Sequence, residues 1–248
     1  MPPFNPVAAV GMVTRASRGH AVTGTCTAFR RPDYALTAAH CVEGAEAEDL
    51  RVFYLGRGGE MRTVEALTTH EVADLCVVKL AQAPNDDLSG QSLEAFWGSV
   101  SNLALGEEFM TYGFPIEEAE SLGPMVAARS ARLVRGYYQR FLEFGTGGGY
   151  QFLAGEMSVP AISGMSGSPL FRPGAFPMLT GIVVASLESR VETYSVTEVK
   201  DGLDTYVEKM SRITTNGIAL ILHPLEEWLQ AMIPVTRPDP TGPTAAAT

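Results

Sequence analysis

Short apolar or alternating runs, separated by residues that favour turns, recur along most of the chain. Most of them are 3–9 residues long and rich in valine, leucine, phenylalanine, tyrosine and threonine, which is typical of β-strands. Runs of this kind cover residues 7–13, 24–29, 34–36, 50–54, 75–80, 108–113, 125–133, 151–153, 170–171, 179–186 and 217–222. Because few long helical patterns lie between them, the spacing predicts an all-β sandwich or barrel.

Helical periodicity is strongest near the C-terminal end. Residues 224–233 begin with a proline and carry two early carboxylates, Glu226 and Glu227, which are both favourable at a helix N-terminus. The apolar residues of this segment recur at helical spacing, which predicts one face packed on the body: Leu225, Trp228, Leu229 and Met232. Residues 201–210 are a second candidate for a helix, and residues 234–248, with their many prolines, are expected to be disordered.

Composition and charge narrow the range of partners. Hydrophobic residues make up 46% and charged residues 19% of the 248 residues, as in ordinary globular proteins. The net charge of −10 argues against a nucleic-acid partner, because phosphate binding needs clustered lysine and arginine, and it disfavours anionic membranes. No window approaches the roughly 18 apolar residues of a membrane span. The N-terminal residues lack a secretory signal, so a cytoplasmic protein is expected if Met1 is the native start.

Two short motifs, about half the chain apart, carry candidate chemistry. Residues 37–41 (Thr-Ala-Ala-His-Cys) follow an apolar run that predicts a strand, and residues 164–169 (Gly-Met-Ser-Gly-Ser-Pro) place a serine between glycines. A serine hydroxyl needs a base to take its proton as it attacks, and histidine suits that task because its pKa lies near 6.5. Glycines beside the serine leave backbone N–H groups free to stabilise an oxyanion. The two motifs together predict acyl transfer.

A third residue would fix the tautomer of the histidine and stabilise its charged form. The best candidate is Asp74, which precedes the strand-like run 75–78 and would be partly shielded from water. The other aspartates considered lie in turn-like or charged surroundings, where solvation is expected: Asp33, Asp49, Asp86 and Asp87. The remaining histidines lack a matching context: His20 and His70, both expected to be exposed, and His223. Histidine and cysteine spacing gives no tetrahedral zinc set, so neither a metal nor a cofactor is predicted.

Over roughly residues 7–233, the chain resembles the chymotrypsin-like (trypsin-like) serine proteases. Residues 37–41 match the family's histidine motif, Asp74 before an apolar strand matches its aspartate motif, and residues 164–169 match its nucleophile motif. The resemblance implies two six-stranded antiparallel β-barrels followed by a C-terminal helix, with the site between the barrels. His40 and Asp74 would lie on an N-terminal barrel at residues 1–115, and Ser166 on a C-terminal barrel and helix at residues 116–233.

The resemblance also implies roles for the residues around the serine. The backbone N–H groups of Gly164 and Ser166 would form the oxyanion hole. The residues that would contact the substrate are Pro160, Ala161, Ser163, Val184, Ala185 and Ser186. Pro160 stands where trypsin has an aspartate that binds basic side chains. We therefore expect uncharged side chains to be preferred over arginine and lysine, unless Glu188 or Glu192 enters the pocket. Val184 replaces a serine that often supports the aspartate.

Further departures from the family concern control and redox state. Met165 replaces an aspartate that often pairs with a newly formed N-terminus, so the chain is expected to need no N-terminal processing. Residues 187–216 form a polar stretch that predicts an insertion through which a regulatory partner could act. Family members often bridge the cysteine after the histidine to one in the preceding strand, which would pair Cys41 with Cys26. Three cysteines do not describe a disulfide-rich scaffold.

These observations predict a serine endopeptidase that cleaves protein or peptide substrates through an acyl-enzyme intermediate. The alternative is a catalytically inactive module that keeps the protease fold and uses the cleft for binding. The complete set of motifs favours the enzyme, because a binding module does not need all of them together.

Overall fold

The computed structural model describes residues 5–83, 95–96, 100–116, 131–174, 178–200 and 204–234. The described residues form two closed antiparallel β-barrels, which confirms the predicted fold class. A short helix α1 (Pro6–Ala9) precedes the first barrel, and its N-terminus is capped by the side chain of Asn5. A longer helix α2 (Glu226–Met232) follows the second barrel.

The first barrel consists of strands β1 (Val10–Arg15), β2 (Ala21–Phe29), β3 (Arg31–Thr37), β4 (Leu50–Tyr54), β5 (Glu60–Thr69) and β6 (Cys76–Leu80). Their order around the barrel is β1-β2-β3-β6-β5-β4. The period of two in the sequence explains the interior: Leu50, Val52 and Tyr54 of β4 are buried, and the residues between them are only half-buried. The alternation of apolar residues therefore determines which face of the strand points into the barrel.

The second barrel consists of strands β7 (Glu108–Gly113), β8 (Arg132–Gly145), β9 (Gln151–Met157), β10 (Pro169–Phe171), β11 (Leu179–Lys200) and β12 (Asp204–Ile221). Their order is β10-β11-β12-β9-β8-β7. Phe109, Tyr138, Met157 and Met165 are buried together in the core of this barrel. Met165, the residue before the serine of the nucleophile motif, is thus packed in this apolar core.

The C-terminal helix is present as the sequence predicts. A 3₁₀ turn (His223–Leu225) that contains Pro224 leads into α2, and Leu229 is completely buried. Trp228 and Met232 pack against the main core cluster from the same helix. None of the helices in the described ranges is long and apolar enough to cross a membrane.

The expected helix at residues 201–210 is wrong where the structure describes it, because residues 204–210 belong to β12. The polar stretch 187–216 is the outer part of a long hairpin, in which β11 and β12 pair from Leu187–Asn216 to Lys200–Asp204. The valine, threonine and tyrosine residues of this stretch favour a strand over a helix, and each strand satisfies its partner's backbone.

Several sequence predictions differ from the structure at their boundaries. Residues 7–9 of the first predicted strand are helical, and the strand begins at Val10. The sequence pattern missed β5 and most of β8, because polar and charged residues occupy much of both strands. The predicted strand at 125–133 and the tail at 234–248 lie largely outside the described residues, and the expected boundary of the two barrels falls at the edge of a gap.

Candidate active site

A histidine and a buried aspartate form the first part of the site. Strand β3 ends at Thr37, and a 3₁₀ turn (Ala39–Cys41) places His40 beside the turn that precedes β6. The backbone N–H of His40 donates to Asp74 Oδ1 at 3.0 Å, and Nδ1 of its ring lies 2.7 Å from Asp74 Oδ2. Both carboxylate oxygens of Asp74 therefore bind the same residue. With Nδ1–H as the donor, Nε2 is left to accept a proton.

The exposure of the two side chains differs sharply. The side chain of Asp74 is 1% exposed and that of His40 is 39% exposed. A buried carboxylate is costly unless it is paired, and here both of its oxygens have a partner. Burial by itself lowers the pKa of His40, but the hydrogen bonds with Asp74 and Cys41 outweigh this effect and raise the pKa from 6.5 to about 10.

The loop that carries Ser166 is folded tightly between two glycines. Gly164 and Gly167 have φ angles of +91° and +87°, values that side chains with a Cβ rarely adopt. Inside the loop, the N–H of Met165 donates to the carbonyl of Ile162 at 3.0 Å. Among the described residues, the N–H groups of Gly164 and Ser166 have no acceptor. Two backbone donors are thus available on this loop.

Two threonines of β2, in the first barrel, hold this loop of the second barrel. Thr25 Oγ1 donates to the carbonyl of Gly164 at 2.8 Å, and Thr27 Oγ1 donates to the carbonyl of Gly167 at 3.0 Å. The backbone N–H of Thr25 donates to the carbonyl of Ser166 at 2.8 Å. A Cβ at Gly167 would collide with the carbonyl oxygen of Thr25, so only glycine fits here. Both threonines are completely buried.

The structure brings His40 and Asp74 into direct contact and places Ser166 near them. The carbonyl oxygen of Ser166 lies 3.7 Å from the thiol sulfur of Cys41, the residue that follows His40. Between the described residues, no hydrogen bond joins the Ser166 hydroxyl to the His40 imidazole. In this structure, Ser166 and His40 are therefore close to each other but not hydrogen-bonded.

A cavity of about 450 Å³ contains three of the residues expected to contact the substrate. Its lining residues are Pro115, Arg132, Pro160, Ala161, Ile162, Ser163 and Thr215. The Ser186 hydroxyl donates to the carbonyl of Ala161 at 2.6 Å, which joins β11 to the wall of this cavity. Val184 is buried, whereas Ala185 is half-buried and Ser186 is exposed. Glu188 is exposed and does not line the cavity, and the side chain of Glu192 is outside the described part.

Sequence reasoning missed three residues that the structure places at the site. Thr25 and Thr27 gave no signal, because a β-branched residue in a strand pattern indicates only the strand. Arg132 falls in the predicted run 125–133, where the pattern indicates only a strand. His70, which the sequence predicts to be exposed, is half-buried at the start of the turn that carries Asp74.

The cysteines do not form the bridge that the resemblance suggested. Cys26, Cys41 and Cys76 are free and buried. Burial raises the pKa of Cys26 to about 12 and that of Cys76 to about 11, so both stay protonated thiols. Across the described ranges, no cluster of three or more histidine, cysteine, aspartate or glutamate residues could hold a metal ion.

Replacing Thr25 with valine is expected to disturb the serine loop. The change removes the donor to Gly164 O and the acceptor of the Phe114 N–H, leaving two buried groups unpaired at a cost of about 1–3 kcal/mol each. We expect a lower melting temperature and slower labelling of the serine by a fluorophosphonate. Thr23→Val on the same strand is the matched control, because within the described ranges the one hydrogen bond of the Thr23 hydroxyl is a long one to Val13 O, at 3.4 Å. Equal labelling of the two variants would contradict this role for Thr25.

Comparison with known proteins identifies the family of the chain. The family model of the trypsin-like peptidase domain matches residues 22–175, which include His40, Asp74 and Ser166. The chain is similar to the MamO protease domain from Magnetospirillum magneticum (TM-score 0.60, 15% identity, covering 92% of this chain and 98% of that one). It is also similar to the active form of the Rv3671c protease from M. tuberculosis (TM-score 0.58, 17% identity, 96% and 88%).

A third solved structure with this fold is the HtrA-type protease AlgW with a tripeptide, at a TM-score of 0.59 and 17% identity, covering 92% of this chain and 61% of that one. At such identities these similarities support the fold alone. No match was found among curated protein sequences. The family match covers more than half of the chain, and the chain therefore belongs to the trypsin-like peptidase domain family.

Proposed function

We propose that this protein is a serine endopeptidase that cleaves polypeptides through an acyl-enzyme intermediate. The observation that carries the proposal is the buried Asp74 carboxylate, which binds His40 through both the backbone N–H and the ring. A histidine with a merely structural role does not need a buried carboxylate that fixes its tautomer and leaves Nε2 free of that contact. The fluorophosphonate experiment described below tests the proposal.

In this mechanism, Ser166 Oγ attacks the scissile carbonyl carbon while His40 Nε2 takes the hydroxyl proton. Asp74 stabilises the imidazolium that forms, and the negative oxygen accepts hydrogen bonds from the Gly164 and Ser166 N–H groups. The C–N bond then breaks, and His40 gives its proton to the departing amine. Water attacks the acyl-enzyme by the same path and regenerates Ser166. Ser166 Oγ and His40 Nε2, which are not hydrogen-bonded in the described structure, would come within hydrogen-bond distance when substrate binds.

The edge of β11 supports an extended polypeptide as the substrate. Ser186 pairs with Gly217, whose N–H points away from β11 and donates to Val159 O at 2.8 Å. The pair is therefore not joined by hydrogen bonds, so the backbone N–H and C=O of Ser186 point to the other side of β11. No described strand pairs with β11 there. A substrate strand could add to this edge next to the cavity at Pro160 and Ala161.

One observation favours the alternative, a protease-fold module that binds peptides without cleaving them. The Ser166 hydroxyl and the His40 ring are not hydrogen-bonded to each other in the described structure. A binding module could use the same strand edge and the same cavity. The two functions differ in whether the serine reacts, and this can be measured directly.

Replacing Ser166 or His40 with alanine is expected to lower kcat/KM for a cleaved peptide by about 10⁴–10⁶-fold, because either change removes the nucleophile or its base. Labelling by the fluorophosphonate should disappear with Ser166→Ala. The matched control is Ser189→Ala, which alters an exposed serine of β11 and should leave labelling and cleavage unchanged. A wild-type chain that neither labels nor cleaves, but still binds peptides, would favour the binding module.

The raised pKa of His40 sets the direction of the pH dependence. Neutral imidazole is the form that accepts the serine proton, so kcat/KM is expected to rise with pH above 6.5, with a midpoint near pH 10. Asp74→Asn removes a partner that raises the pKa, so the rise should move to lower pH and reach a lower plateau. A wild-type profile that is flat from pH 6.5 upward, or an unchanged midpoint in Asp74→Asn, would contradict this.

We also propose that the residue before the scissile bond is uncharged rather than basic. The described residues that line the cavity at Pro160 include no carboxylate, so they offer no partner to a basic side chain. In a peptide library, we expect cleavage after uncharged residues to exceed cleavage after lysine or arginine. Arg132→Glu should raise cleavage after basic residues, since it puts a carboxylate on the cavity lining.

Arg135→Glu on the same strand is the control for the Arg132 variant. It makes the same change in charge outside the cavity, at a residue that pairs with Glu108 at 3.2 Å. A library profile dominated by lysine and arginine in the wild type would rule out the proposed pocket. Equal effects of the two substitutions would show that only the net charge matters.

A further inference from the structure

The turn that carries Asp74 is closed by a single side chain, that of His70. Nδ1 of His70 lies 3.2 Å from the backbone N of Val72 and 3.1 Å from that of Ala73, and it accepts both N–H groups. The backbone N–H of His70 donates to the carbonyl of Leu75 at 2.9 Å. Asparagine and aspartate commonly close turns in this way, with the side chain accepting from the backbone two residues later.

These contacts determine the protonation state of His70. A ring nitrogen that accepts hydrogen bonds carries no proton, so the imidazole is neutral with its hydrogen on Nε2. Burial lowers the pKa of His70, although the nearby Glu71 carboxylate opposes this effect. Burial and the two hydrogen bonds therefore both favour the neutral form of the His70 ring. His70 differs in this respect from His40, which donates its Nδ1 proton to Asp74.

A tertiary contact holds the ring of His70 from the other side. The ring packs edge-on against the Trp228 indole of α2, with the centroids 4.9 Å apart and an interplanar angle of 73°. The turn is also held by the second barrel, because the N–H of Gln151 donates to the carbonyl of Val72 at 2.8 Å. The backbone on both sides of Asp74 is therefore constrained by contacts from other parts of the fold.

We propose that His70 is a positioning residue that directs the Asp74 carboxylate towards His40. This inference rests on the proposed function, since it assigns a task within the same site. The conformation of Asp74 is tightly restricted. Its side chain is 1% exposed, and its two neighbours are joined by a hydrogen bond, from the N–H of Leu75 to the carbonyl of Ala73 at 2.7 Å. The direction of the carboxylate thus follows the path of the turn, and His70 fixes that path.

His70→Ala removes the acceptor for two backbone N–H groups, and with it the hydrogen bonds that close the turn. A displacement of about 1 Å in a catalytic group lowers the rate by roughly 10²-fold, so we expect kcat to fall about 10–100-fold. KM should change less than threefold, because His70 does not line the described substrate cavity. His70→Asn supplies a side-chain oxygen for the same N–H groups and should restore most of kcat.

His223→Ala is the control, because it removes an exposed histidine in the turn before α2 and should leave kcat unchanged. Thermal unfolding of each variant shows whether it is folded. A merely structural role for His70 would lower stability with kcat per folded molecule unchanged, and this outcome would overturn the proposal. Failure of His70→Asn to restore kcat in a folded chain would also overturn it.

Proton NMR separates this inference from the proposed function. The Nδ1 proton that His40 donates to Asp74 should give a far downfield signal in the wild type and in His70→Asn, and this signal should be weakened or lost in His70→Ala. The signal does not depend on cleavage. If the wild-type chain is inactive but the signal is weakened in His70→Ala and retained in His70→Asn, the proposed function is wrong and the positioning role of His70 is supported. If the wild-type chain is active but the signal is unchanged in His70→Ala, the proposed function is supported and the positioning role of His70 is wrong.

Discussion

The site depends on hydrogen bonds that cross from one barrel to the other. His40 and Asp74 belong to the first barrel and Ser166 to the second, so no local segment can set the distance between them. Thr25 sets it through its hydroxyl, which binds the carbonyl of Gly164, and through its backbone N–H, which binds the carbonyl of Ser166. Because these groups are buried, a shift between the barrels would leave them unpaired, at a cost of about 1–3 kcal/mol each.

The second constraint is the burial of one carboxylate. In a medium of low polarity, the charge of Asp74 must be compensated locally, and the two donors on His40 provide this compensation. The same contact raises the pKa of His40. Stability and chemistry are therefore coupled: the interaction that makes burial of Asp74 tolerable also makes the imidazole a stronger base. A more exposed aspartate would do neither, because water would screen it.

Sequence patterns predicted the strands that show a local periodicity and the site residues that lie in rare motifs. Strands β4 and β7 have the same bounds as the predicted runs, and in β4 buried and half-buried residues alternate strictly along the strand. The outer hairpin of β11 and β12 lacks that signal, since its strands pair with each other outside the barrel. The motifs directed attention to His40, Asp74 and Ser166. They could not reveal Thr25 or His70, whose importance comes from partners that lie far away in the sequence or from the shape of a turn.

The turn at Asp74 combines local and distant contacts in one small structure. His70 closes it from within, Trp228 of the C-terminal helix packs on the ring of His70, and Gln151 of the second barrel binds the carbonyl of Val72. Three parts of the chain thus meet at the backbone that aims the carboxylate. The C-terminal helix reaches this turn through Trp228, which packs on the ring of His70. The C-terminal helix therefore packs against the turn that carries Asp74 as well as against the hydrophobic core.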